Sequence, residues 1–156
     1  KELNKSRDIK KQLKKIGSLT VKSGLIDYSF KNTPKFEKIA SKFNLNQLTN
    51  TSGFHTLSKG VNETTIIISD DLKLIFDQAL KYIPYESKKE NLSSITIELP
   101  KQNTEVYGLY YTILGRIAWK SISVIEVIST TNELTIILKD NQVSTALEAL
   151  MELKKN

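Results

Sequence analysis

The chain repeats itself. Residues 61–80 (VNETTIIISDDLKLIFDQAL) align without a gap on residues 131–150 (TNELTIILKDNQVSTALEAL), at an offset of 70. Eight of the twenty positions are identical: Asn62/Asn132, Glu63/Glu133, Thr65/Thr135, Ile66/Ile136, Ile67/Ile137, Asp70/Asp140, Ala79/Ala149 and Leu80/Leu150. Average composition gives about one or two such matches by chance. A weaker echo joins Ser18-Leu19-Thr20-Val21 to Ser94-Ile95-Thr96-Ile97. A fixed period limits the architecture to copies of one supersecondary unit, and 156 residues hold two of them. The polar stretch 85–91 reads as the joint between them.

The second copy has the clearer pattern. A β-branched run over 94–99 stops at Pro100, as a strand does. A polar loop follows, and Gly108 opens a segment in which Leu109, Ile113, Ile117 and Ala118 recur at helical spacing, with Trp119 closing it. Residues 121–129 alternate with period two and predict a strand. Thr130-Thr131-Asn132 is a tight turn, so Glu133–Lys139 is expected to pair antiparallel to that strand. Asp140 or Asn141 is expected to cap a final helix carrying Val143, Leu147, Leu150 and Met151 on one face.

The first copy follows the same order with irregularities. Residues 19–30 are strand-like but interrupted at Ser23-Gly24, which predicts a bulge or two short strands. Asn32-Thr33-Pro34 reads as a cap with Pro at the first helical position, leading into Phe36, Ile39, Ala40 and Phe43. Strands over 54–58 and 64–69 form a hairpin around Gly60, and a helix follows over 70–82. The fold class is therefore α+β, with two tandem ferredoxin-like βαββαβ units, antiparallel sheets and helices on one face. Residues 1–16 are a basic helix or linker, 17–85 the first unit and 92–156 the second. Seven strands are visible where two full units need eight. The eighth is either 82–85 or a crossing of 19–22 into the other unit's sheet.

The segments Val106-Tyr107-Gly108-Leu109-Tyr110, Ile113-Leu114, Ile117-Ala118, 122–129 and Asn132-Glu133-Leu134-Thr135-Ile136 together resemble the ACT domain, most closely the paired ACT domains of aspartokinase regulatory regions. In the first copy, residues 57–67 are similar to the family's second-strand turn. The resemblance covers essentially 17–153. It departs where the family has Pro-Gly at the start of the first helix, since Tyr107-Gly108 and Asn32-Thr33-Pro34 stand there. No kinase domain accompanies the two copies, so the resemblance implies a regulatory module without catalytic activity on this chain, although similarity alone would suggest an aspartate kinase.

Charge excludes less than it first suggests. The chain has 23 basic and 17 acidic residues, but residues 1–16 hold seven basic and two acidic ones and so carry five of the six net charges. The repeated body is close to neutral. Without cysteine and with His55 as the single histidine, there is no disulfide framework, no thiolate nucleophile and no metal set of Cys or His. No cofactor is expected. No apolar run is long enough to span a bilayer, which leads us to expect a cytoplasmic protein without a membrane partner. RNA-recognition folds share this topology but need aromatic residues on a central strand, and Thr64–Ser69 and Leu134–Lys139 have none. Nucleic acid remains a candidate only through residues 1–16, whose Leu3, Ile9, Leu13 and Ile16 give the helix one apolar side.

The resemblance implies binding of a free amino acid at the loop between first strand and first helix. Physical chemistry favours that place, because a helix N-terminus offers unpaired N–H groups and a positive dipole end to an α-carboxylate. Gly108 lets a ligand approach the backbone closely. Asn103 and Glu105, with carbonyls near Ile128 and Ser129, are the candidate acceptors for the α-ammonium, and Tyr107 a candidate wall. Asn32 and Thr33 are the corresponding candidates in the first copy. The alternative is that Gly108 only starts a helix while Asn103 and Glu105 face water. The repeated Asn62-Glu63 and Asn132-Glu133 read as turn residues that tolerate a left-handed backbone rather than as ligand sites. Asp70, Asp71 and Asp140 read as helix caps rather than metal ligands, and His55 as structural. Tyr110, Tyr111 and Trp119 on the predicted helix point to packing or an interface. The functional expectation is an amino-acid-sensing regulatory module acting as a homodimer. The alternatives are a structural or dimerisation module, or a DNA-associated regulator using the basic helix.

Overall fold

The computed structural model describes residues 2–42 and 55–155, and side chains over 8–42 and 56–155. Phe43, Phe54 and the side chains of Leu3 and His55 lie outside that description. The chain forms α1 (Glu2–Leu13), β1 (Leu19–Lys31), α2 (Pro34–Lys42), β2 (His55–Lys59), β3 (Glu63–Ser69), α3 (Lys73–Ala79), β4 (Ser87–Glu98), α4 (Leu109–Trp119), β5 (Glu126–Ser129), β6 (Glu133–Lys139) and α5 (Val143–Lys155). Two compact units divide it: 22–92, and 1–21 together with 93–156.

The first unit is βαββαβ in chain order, with strands hydrogen-bonded in the order β2-β3-β1-β4. Its hairpin is antiparallel with Leu57 opposite Ile66, and β3 pairs antiparallel with β1, Tyr28 opposite Ile66. Ile66 and Ile68 enter a core with Ile26, Tyr28, Phe30, Phe36, Leu72, Phe76, Leu80 and Ile83. Ile67, between them on the other face, is also fully buried. That is why this strand reads as a continuous apolar run instead of alternating. Thr33 starts α2 as expected: its Oγ1 accepts from the Phe36 N–H at 3.1 Å, with Pro34 at the first helical position.

The second unit runs β1-β4-β6-β5 in hydrogen-bonded order. Here the fourth strand is the start of β1, so of the two placements for the missing strand the crossing of residues 19–22 is the one observed. Gly17 donates to the Glu98 carbonyl at 2.9 Å and Glu98 donates back to the Ser18 carbonyl at 3.0 Å. The Glu98 carboxylate accepts from the Ser18 N–H at 3.0 Å and from its hydroxyl at 3.1 Å. Helix α1 belongs to the same body: Leu13 and Ile16 are buried with Ile95, Ile97, Ile113, Ile117, Leu134 and Leu150, while Lys10, Lys11, Lys14 and Lys15 stay exposed. Neither α1 as a separate segment nor 17–21 as part of the first copy is observed: both belong with 93–156.

Other local expectations change for identifiable reasons. Residues 87–91 are not a joint but the first half of β4, and 82–85 is not a strand. The charges of Lys89 and Glu90 occupy exposed strand positions, which masked the period. Strand β5 begins only at Glu126, because Ser121 takes a positive φ of 58° and the chain turns after α4. The expected caps are absent: Asp70 and Asp140 begin 3₁₀ turns, and Asp140 accepts instead from the Ser93 hydroxyl. On α5, Ala146, Ala149 and Leu150 are buried and Met151 is exposed.

Leu13→Ala or Ile16→Ala should lower stability by about 2–5 kcal/mol in urea denaturation; an unchanged midpoint would show that α1 is not part of the core. A second expectation concerns pH. The Ser18 N–H, then its hydroxyl, hold the Glu98 carboxyl below the usual range. Its contribution is thus fully present above the unfolded-state value of about 4.3 and disappears as pH falls through the lower folded-state value. Melting temperature measured from pH 6 to pH 3 should decline less steeply in Glu98→Gln than in the parent, and parallel curves would remove this role.

Candidate ligand-binding site

Strand β4 stops before Pro100, and a 3₁₀ turn at Asn103–Glu105 carries the chain towards α4. Asn103 is buried and fastens this loop: its Nδ2 donates to the Pro100 carbonyl at 2.9 Å and to the Thr131 carbonyl at 2.7 Å. Beside it the Leu99 N–H donates to the Asn132 carbonyl at 2.8 Å. The first unit has the same device. Asn32 donates from its backbone to the Asn62 carbonyl at 2.9 Å, and its Nδ2 reaches the Gly60 and Val61 carbonyls at 2.9 and 3.3 Å. Gly60 donates to the Glu63 carbonyl at 2.8 Å and Thr130 to the Glu133 carbonyl at 3.0 Å, so the two hairpin turns match at the 70-residue offset. The recurring Asn62 and Asn132 are turn residues as expected, but neither has a positive φ. What recurs is a carbonyl that the first-strand loop must reach.

The helix starts differ. In the first unit Thr33 caps α2, and the Asn32 side-chain Oδ1 also accepts from Thr64 Oγ1 at 2.6 Å, so both candidate side chains are committed within the fold. In the second unit Gly108 precedes α4 at φ 84° and no side chain caps the helix. The first-turn N–H groups of such a helix have no intrahelical acceptor. A Cβ at Gly108 would combine a strained backbone with a 3.4 Å contact to Cδ1 of Ile9. An open cleft of about 400 Å³ lies at this helix start, lined by Asn103, Thr104, Val106, Gly108, Leu109, Tyr110 and Tyr111. No lining side chain is charged. An anion placed here would be met by backbone N–H groups and the helix dipole, not by a cationic side chain.

Of the expected residues, Asn103 and Gly108 come together in this cleft. Tyr107 is 83% exposed and is not among the lining residues; Val106, Tyr110 and Tyr111 form the wall. Glu105 is exposed and also outside the lining. Ile128 and Ser129 lie on β5 opposite Thr135 and Leu134, away from the lining set. Sequence reasoning missed Thr104, Val106 and the wall tyrosines. Tyr110 and Tyr111 follow Gly108 directly in the first helical turn, and that adjacency was the available signal.

The first unit has a smaller pocket of about 260 Å³ bordered by Tyr28, Phe30, Phe76, Asp77 and Tyr85, with Lys81 and Lys88. Its carboxylate is occupied: Asp77 accepts from the Tyr28 hydroxyl at 2.8 Å and from Lys73 at 2.5 Å. Burial works to raise the Asp77 value, but these hydrogen bonds outweigh it and hold the carboxyl below its ordinary range. Burial, followed by Asp77, pushes the Tyr28 phenol upward. No group of three or more His, Asp or Glu side chains able to hold a metal occurs among the described residues. Nor, among them, is any helix long and apolar enough to cross a membrane.

No protein-family model matches the sequence, and no curated protein matches it. Solved structures do match the fold. The ligand-free regulatory subunit of aspartate kinase from Thermus thermophilus superposes with a TM-score of 0.69 at 10% identity, over 88% of this chain and 97% of that one. A C-terminal regulatory domain of aspartate kinase from Porphyromonas gingivalis gives 0.67 at 16% identity, over 89% and 97%. E. coli aspartokinase III, solved with lysine and aspartate, gives 0.63 at 9% identity; the match spans 88% of this chain but 32% of the enzyme. The chain has the fold of an aspartate kinase regulatory region, two tandem ACT-type units.

Asn103→Ala and Asn32→Ala should each destabilise their unit by about 1–3 kcal/mol, because buried or turn carbonyls lose a donor. Urea denaturation checks this, and a wild-type midpoint for either would show that the turn holds without its asparagine.

Proposed function

We propose that this protein is a non-catalytic regulatory module that binds a free amino acid at the start of α4 and works as a pair of identical chains. The observation that carries the reading is the uncapped helix behind Gly108, opening on a cleft of about 400 Å³ in a fold shared with aspartate kinase regulatory regions. The α-carboxylate would lie against the N–H groups of the first turn of α4. With the Asn103 amide nitrogen engaged by two carbonyls, its Oδ1 is the acceptor left for the α-ammonium, and Glu105 in the same loop is a further one. Val106, Tyr110 and Tyr111 would enclose the side chain. The capped, clamped loop of Asn32 and Thr33 favours one site per chain. Ligand binding would then favour one packing of the pair over another.

The test is a thermal-shift and calorimetric screen of the twenty amino acids, lysine and threonine first, at millimolar concentration. A ligand at one hundred times its Kd stabilises by about 2.7 kcal/mol, and Gly108→Val should abolish the shift. If no amino acid moves the melting temperature or gives heat, the sensing role fails.

A further inference from the structure

The two copies of the repeat differ in chemistry along their last helix. Over α3 and the turn after it, Lys73, Phe76, Asp77 and Lys81 stand where the 70-residue offset places Val143, Ala146, Leu147 and Met151. The second copy builds the same element without charge at those positions, so the fold does not require it in the first. In the second unit Leu147 and Met151 border an apolar groove with Leu19. In the first, Asp77 and Lys81 border the pocket of about 260 Å³ walled by Tyr28, Phe76 and Tyr85 and edged by Lys88. Tyr28 and Phe76 are buried with ring centroids 4.7 Å apart, and the exposed Tyr85 meets Tyr28 edge-on at 6.2 Å. These walls are held by the fold itself. The Tyr28 hydroxyl is fixed by Asp77, whose second oxygen accepts from Lys73. The Glu86 N–H donates to the Ser29 carbonyl at 2.8 Å and ties down the segment that carries Tyr85. Lys88, mostly buried, places its Nζ 5.4 Å from the centre of the Tyr28 ring and pairs with Glu90 at 3.2 Å. Lys81 rests 5.6 Å from the Tyr82 ring and makes no ion pair among the described residues.

We propose that this pocket binds a small planar aromatic carboxylate, its ring against Tyr28, Phe76 and Tyr85 and its carboxylate between Lys81 and Lys88. The pocket shares no residue with the cleft at α4 and stands independently of the amino-acid reading. Each part of the ligand answers one part of the site. Aromatic walls reward a flat ring with stacked and edge contacts that a saturated ring cannot make. Because Tyr28 and Tyr85 are already anchored, little ordering is left for binding to impose. Lys73, Lys81 and Lys88 outnumber Asp77 and Glu90 by one, so the charge left to be matched is positive, and it sits on Lys81. A carboxylate at that edge makes charge-assisted hydrogen bonds. An α-ammonium would stand among the same lysines, which separates this ligand class from the free amino acids. The volume lies just below the range of about 300–1,000 Å³ that holds drug-sized ligands, which suits one ring or a fused pair.

Benzoate and indole-3-carboxylate are the probes, titrated into the whole chain by calorimetry and followed by ligand-observed NMR. Indole-3-carboxylate should bind with a dissociation constant at or below about 1 mM. Neutral indole and cyclohexanecarboxylate, which each lack one half of the recognition, should bind about tenfold more weakly or worse. Lys81→Gln and Tyr85→Ala, both at exposed positions, should each weaken the acid about fivefold or more while the melting temperature of the free protein stays at its parent value. Added salt should weaken binding to the parent and have less effect in Lys81→Gln. If neither acid binds at millimolar concentration, the site is overturned. Equal binding of indole and its carboxylate overturns the part given to the lysines. Binding that survives both substitutions, or that Gly108→Val removes while Lys81→Gln leaves it intact, belongs elsewhere on the chain and likewise overturns the site. The amino-acid screen is read through Gly108→Val and this one through Lys81→Gln, so either can fail without the other.

Discussion

Glu98 holds the start of the chain in place from both its backbone and its side chain. Its N–H and carbonyl exchange hydrogen bonds with Gly17 and Ser18, its carboxylate takes two more from Ser18, and Lys154 of α5 adds a donor to the Gly17 carbonyl at 2.6 Å. A Cβ at Gly17 would meet the Glu98 carboxylate and displace it from the position in which Ser18 holds it. These bonds supply the second unit with the strand that its own repeat lacks. They also bring α1 to the unit's core and set Ile9 against Gly108, so the shape of the cleft depends on a contact made by residues a hundred positions away. A sheet edge is satisfied and a helix is docked by the same five-residue segment.

The two copies keep their hairpins in identical register and differ where the first strand meets the first helix. Both use an asparagine side chain to hold the hairpin turn, at positions that do not align at the repeat offset, Asn32 and Asn103. The constraint that persists is therefore the carbonyl at Val61 or Thr131, and the donor is placed wherever the loop allows. Past that point the copies diverge chemically. Thr33 and Pro34 close one helix start, while a left-handed glycine leaves the other open. The proposed ligand-facing role falls to the start that no side chain caps, where the first-turn N–H groups have no intrahelical acceptor.

Much of the fold was legible because its signals are local. The period of Ile66–Ile68 and Ile136–Leu138, the turn at Asn62 and Asn132, and the Pro34 and Gly108 helix starts each follow from adjacent residues. The site was legible only in outline. Gly108 and Asn103 are legible in the loop, but Asn103 also fastens it, and Tyr110 and Tyr111 border the cleft while Tyr107, next to Gly108, does not. Which of three neighbouring tyrosines lines a cleft depends on the angle at which the loop enters the helix, and that angle follows from bonds to Pro100 and Thr131.

The sequence by itself determined the repeat, the α+β class, the two hairpins and the near-neutral body beneath a basic leader. Period, turn residues and charge are properties of short segments, and short segments carry them unaided. Tertiary structure alone decided that β1 and β4 each serve both units, that Leu13 and Ile16 of the basic segment are core, and that Gly115 stands open between the exposed rings of Tyr111 and Trp119. Those outcomes depend on which distant backbone groups find each other. A strand's hydrogen bonds to its neighbour are made by atoms every residue shares, so no side-chain pattern records the choice.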